Sequence, residues 1–286
     1  TGTPDGLNQS FQQFIWNCPD QTGAISLGTG FVGVVTFDLS GTGSGRISLA
    51  TGLGVTNTLT VSGGSTLYCG TNIVSADRFD LQNGNTLGIG APDGITTNGT
   101  SGNIRSVTRH FSSGANYVYN GTAAQTTGDA LPARAHRLTV DNTAGVTLSQ
   151  DLTVNDQLTL ENGALAIGGH QLTLENALTR VNGSLTGGGT SALSITDLGG
   201  AANVSLPAVA SGLQSLTLAR DSGATLTGAV TVWNTITLTN GVLSGAGNLT
   251  LAHGCHFIRS TGTFYGPGLP TLLGLLDVTF LSGDLT

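Results

Sequence analysis

The residues of this sequence best suited to metal binding or nucleophilic chemistry are three cysteines and a histidine pair, with Cys255 adjoining His256 and lying two positions from His253. Zinc sites draw their ligands from closely spaced Cys or His pairs. Cys18, Cys69 and Cys255 are too few and too far apart to supply them, so no metal and no cofactor is expected, and Cys255 reads as a small buried filler. A Cys18 to Cys69 disulfide would join residues about two and a half coils apart in the repeat described below. Acid–base work on a polysaccharide needs carboxylates gathered on one face, or carboxylates beside a cation. Asp77, Arg78 and Asp80 form one such group, and Asp141, Asp151 and Asp156 another. The first reads equally as a solvated edge and the second as turn residues, so no residue is assigned a catalytic role. Trp16, Tyr117, Tyr119, Trp233 and the Phe264-Tyr265 pair would stack on sugars only if exposed, and internal packing is the expectation.

The elements that carry these side chains follow from a short period. Triplets of the form apolar-Thr-apolar begin at Leu138, Leu152, Leu158 and Leu172, so that Leu138 to Leu158 and Leu152 to Leu172 each span 20 residues. Val146-Thr147-Leu148 recurs as Leu165-Ala166-Ile167 and supplies a third strand per coil. Strict alternation turns the aliphatic residues inward and Thr outward. Between triplets stand Asn, Asp and Gly, which take corner conformations or hydrogen-bond their own backbone. Such corners are too short for helices. The reading is an all-β, right-handed parallel β-helix (β-solenoid) with about 20 residues and three short strands per coil. Outward Thr, as at Thr60, Thr139, Thr153, Thr159 and Thr173, raises an ice-binding face, but Ala166 interrupts one row and the rows are expected on different faces.

Composition agrees with this reading. Only 9% of residues are charged, Gly numbers 45, and there is no Met. Thr, Ser, Asn and Gly must therefore cover the surface. A net charge of -7 with scattered arginines excludes a nucleic-acid partner, and no apolar run is long enough for a membrane span. Residues 1–10 carry no leader-like pattern, and the chain ends in a strand-like run at Leu285-Thr286, as expected of a mature or excised piece.

A second, longer repeat offsets residues by 78, pairing Leu152-Thr153-Val154 with Val230-Thr231-Val232, and Leu158-Thr159-Leu160 with Ile236-Thr237-Leu238. Leu-Pro dipeptides at Pro132, Pro207 and Pro270 mark larger units near 131–205, 206–268 and 269–286, the last truncated. Residues 1–130 form less regular coils, and 1–286 reads as one continuous solenoid. Sequons occur at Asn8, Asn98, Asn120, Asn182, Asn203 and Asn248 and define no site by themselves.

The stretch Leu87-Gly88-Ile89-Gly90-Ala91-Pro92-Asp93-Gly94-Ile95, with Gly102-Asn103-Ile104-Arg105 and Ala115-Asn116-Tyr117-Val118-Tyr119-Asn120-Gly121-Thr122-Ala123-Ala124-Gln125, resembles a segment repeated in very large surface proteins of Bacteroidota. So do Phe14-Ile15-Trp16-Asn17-Cys18 and the block 138–174. The resemblance implies export by type IX secretion and a place in extracellular adhesins or surface filaments, and it brings no catalytic residues. The C-terminal sorting domain usual in such proteins is missing, which fits a fragment or processed product. Expected partners are neighbouring coils of the same chain or identical subunits stacking end to end, with surface glycans as a further candidate. A carbohydrate-binding or carbohydrate-processing β-helix is the alternative.

Overall fold

The computed structural model describes residues 9–28, 33–197, 199, 201–266 and 268–280. The expectations attached to residues 1–8, including Asn8, and to the strand-like run at Leu285-Thr286 lie outside them. The chain is all-β, 56% strand without an α-helix, and its stacked parallel strands make a β-solenoid of about 13 turns with roughly 21 residues per turn. It divides into two compact units, residues 1–146 and 147–286.

In the first unit, one ladder joins Ser10–Asn17, Gly33–Gly41, Leu53–Val61, Arg78–Leu81 and Thr108–Phe111, every pairing parallel. Phe14, Phe37, Leu59 and Phe79 follow one another along its inner column, and the Phe14 and Phe37 rings lie 5.1 Å apart. A second ladder joins Ala24–Leu27, Arg46–Leu49, Thr66–Tyr68, Thr86–Ile89, Asn116–Tyr119 and Arg134–Asp141. Its inner column, Ile25, Ile47, Leu67, Leu87, Tyr117 and Leu138, is buried throughout. Each such aliphatic side chain contributes about 1.5–3 kcal/mol relative to exposure, and only stacked coils can bury it.

One coil departs from the period. Arg78 pairs with Thr58, a step of 20 residues, whereas Thr108 pairs with Arg78, a step of 30. The extra length forms an excursion over residues 90–107, held by buried amides. Asn103 Oδ1 accepts the backbone N–H groups of Gly90 and Ala91, both at 2.9 Å, while its Nδ2 donates to Gly70 O and Asn72 O at 2.8 and 2.7 Å. Gln125 does the same one coil on, accepting from Gly121 N–H and donating to Ile89 O and Ala91 O. All four hydrogen-bonding positions of Asn103 are filled, which a buried amide requires.

In the second unit the three strands per coil become three ladders. The longest runs through Leu152, Leu172, Leu193, Leu216, Ile236, Phe257 and Val278. Another joins Val204–Leu206, Ala224–Leu226, Val242–Ser244 and Thr263–Tyr265, and a third ends in Val230–Asn240, Leu249–Leu251 and Thr271–Leu272. The Leu152 to Leu172 register is the one the triplets predict. The copy at an offset of 78 takes a different place: Leu152 belongs to the first of these ladders, and its counterpart Val230 to the third. Because every face has the same apolar-Thr-apolar pattern, a copied segment packs equally well one face round.

Candidate functional site

The groups that sequence reasoning singled out are dispersed, and most are engaged in holding the coil. Cys255 is buried while His253 and His256 are exposed, so the three do not converge. His253 lies over Gly274, where a Cβ would approach its Cδ2 to 2.3 Å, and His256 Nε2 stands 3.8 Å from Asp277 Oδ2. Cys18 is at an exposed corner and Cys69 is wholly buried, and all three thiols are free. Burial pushes the Cys69 thiol up to about 12, which keeps it protonated and unreactive. Among the described residues no group of three or more His, Cys, Asp or Glu is placed to hold a metal ion, and no helix is long and apolar enough to cross a membrane.

The first carboxylate group is a small network on an outer row. Asp80 receives Arg78 Nη2 at 3.1 Å and faces His110 Nδ1 across the ladder at 2.8 Å. Partial burial acts to raise the Asp80 carboxyl, but the hydrogen bonds from His110 and Arg78 outweigh it and hold the group below its usual range. His110 enters only because the long coil brings Thr108–Phe111 beside Arg78–Leu81, a pairing hidden in a sequence separation of 30. In the second group, Asp151 Oδ1 accepts the Gln171 N–H at 2.8 Å and Asp156 Oδ1 accepts from Asn176 Nδ2 at 3.1 Å. Both act at corners, one before and one after the strand segment at 152–154.

The aromatic residues divide. Tyr117 and Tyr119 are interior, their hydroxyls donating to Ser112 O and Thr127 O at 2.6 and 2.7 Å, and Trp16 is buried with its indole N–H on Gln21 Oε1. Trp233 is 46% exposed and Tyr265 74% exposed, and they belong to different ladders. Trp233 rests on Gly212 and donates to the carbonyl of Ser211, the one described residue other than glycine with positive φ, at 62°.

The hydroxyl rows are more ordered than the sequence suggests. Thr153, Thr173, Ser194, Thr217 and Thr237 occupy one register in five successive coils, while Thr159 pairs with Thr179 in another row, so the Thr rows lie on different faces as expected. Thr217 and Thr237 join the row of Thr153 because the copied segment sits one face round. The row on one flank reads Gln171, Ala192, Ser215 and Thr235, so hydroxyls pair across that flank in two of these coils.

Arg46 and Tyr68, which sequence reasoning passed over, form a further arrangement. The Arg46 guanidinium carbon stands 4.9 Å from the Tyr68 ring centroid. Burial raises the Tyr68 phenol, Arg46 opposes the rise and Asp141 adds to it. The only sequence sign of this site is Gly88, a glycine inside a strand, which often marks close approach by another group.

No protein-family model, curated protein or solved structure matches the chain.

Proposed function

We propose that the chain is a non-catalytic structural segment of an extracellular or cell-surface adhesin or filament, a β-solenoid that stacks or continues end to end. The observation that carries this reading is the unbroken inner column of the second unit, where Leu152, Leu172, Leu193, Leu216 and Ile236 are all buried and in parallel register. A solenoid core of this kind propagates from coil to coil without reserving space for a substrate. Apart from the Arg78, Asp80 and His110 network, the candidate groups do not converge, which also favours a mechanical role. Leu269, Leu272, Leu273 and Leu275 are exposed, and among the described residues Thr271–Leu272 and Asp277–Phe280 are each paired on one side only. Parallel edges with apolar side chains accept a further coil, from the same polypeptide or an identical subunit.

The resemblance to Bacteroidota surface proteins supports the extracellular setting and export by type IX secretion. Immunogold electron microscopy of the native cell surface tests the reading. Label along fibrils or extended surface structures is the expected result, and label confined to discrete soluble particles would contradict it.

A further inference from the structure

The nine arginines of this acidic chain are almost all tied down. Arg78 is paired with Asp80, and Arg105, Arg180 and Arg259 donate to nearby backbone carbonyls. Arg109 donates to Thr97 O, Arg220 is wholly buried among carbonyls, and Arg134 and Arg137 have interactions of their own. Among the described residues Arg46 is the exception: its exposed guanidinium meets the face of Tyr68 and donates no hydrogen bond.

Its position is built rather than casual. Tyr68 is half-buried and lies across Gly88 of the next coil, where a Cβ would come within 2.5 Å of Tyr68 Cδ1. The missing side chain of Gly88 thus seats the ring, and the guanidinium stands over the ring in a cation–π contact. Beside this stack opens a groove of about 290 Å³. Thr22, Ser44 and Thr66 line it, and among the described residues their hydroxyls make no hydrogen bonds. Asp and Glu are absent from the lining.

We infer that this groove binds the carboxylate-bearing residue of an acidic saccharide, with Arg46 taking the carboxylate and Thr22, Ser44 and Thr66 meeting ring hydroxyls. A guanidinium fork matches a carboxylate in two parallel hydrogen bonds, which a fixed plane favours. Neutral hydroxyls around one cation suit a polyhydroxylated anion, and the volume lies at the small end of ligand pockets, near that of a single sugar. Tyr68 is a positioning residue, since one ring face is on Gly88 and Arg46 covers the ring. The inference goes beyond the structural role proposed above and stands independently of it.

The test is a calorimetric titration with a galacturonate trisaccharide, with the neutral galactose trisaccharide and inorganic sulfate as comparisons. The expected result is millimolar binding of the acidic trimer that weakens with salt, and no measurable binding of the neutral one. Arg46→Gln and Tyr68→Thr each lower affinity about tenfold or more, and Arg46→Lys is also weaker because it keeps the charge without the fork. Arg46 is exposed and Tyr68 half-buried on the outer face, and unchanged melting temperatures of the three variants confirm that folding is intact. Unchanged affinity in Arg46→Gln, sulfate binding as tight as that of the trimer, or no heat from the trimer at tens of millimolar would each overturn the inference.

Discussion

The guanidinium of Arg220 does at one corner what buried amides do elsewhere, giving backbone carbonyls a donor where water cannot reach. Its Nη1 donates to Glu175 O and Thr196 O at 3.0 and 2.9 Å, its Nη2 to Ala202 O, and its Nε to Ser222 Oγ at 2.9 Å. The side chain has no measurable exposure. Buried charge is tolerated only when fully hydrogen-bonded, and removing it leaves several acceptors unpaired. Arg220→Leu is therefore expected to lower stability in urea unfolding by about 1–3 kcal/mol for each acceptor that stays dry. Arg220→Lys should recover little, because one ammonium cannot span carbonyls from three segments. A loss below about 1 kcal/mol would show that the carbonyls find other donors. Nothing in the sequence around Arg220 announces this role: an arginine after a strand reads as surface, and its partners lie up to 45 residues away. Tyr117 and Tyr119 were legible as interior residues because alternation places them with Leu87 and Ile89, and their hydroxyls find carbonyls within eight residues.

At the scale of elements, the triplets were legible because a strand with one buried face must alternate, and a solenoid must repeat that alternation at its own period. The Leu152 to Leu172 register could be read without coordinates for this reason. The excursion at 90–107 could not be measured in the same way, since insertions at corners leave the flanking strands unchanged. Its trace in the sequence is a crowding of turn residues, Pro92, Asp93, Gly94, Asn98, Gly99 and Gly102. The stretches 87–95, 102–105 and 117–125 are largely those that fasten it, with Asn103 and Gln125 serving as internal clamps. Replacing Asn103 by Ala leaves Gly90 and Ala91 N–H and Gly70 and Asn72 O without partners, about 1–3 kcal/mol for each group that stays dry. Limited proteolysis of Asn103→Ala should then cut first within 90–107, while the wild type resists there. Identical cleavage patterns would place the restraint elsewhere, with Gln125 as the next residue to test.

At the scale of the whole molecule, stability resides in repetition. Each coil is stabilised by its neighbours, and no coil carries a gathered catalytic set among the described residues. The segment copied at an offset of 78 illustrates the point, because it occupies another ladder without loss of packing. A fold so indifferent to which face a segment occupies is suited to lengthening. Single-molecule pulling on the whole chain tests this most directly, since nearest-neighbour stabilisation predicts release in small units. With roughly 21 residues per turn, each turn freed should add about 70 Å of contour. The account predicts a series of lengthenings at that increment or small multiples of it; a single event releasing the entire chain at once would contradict it.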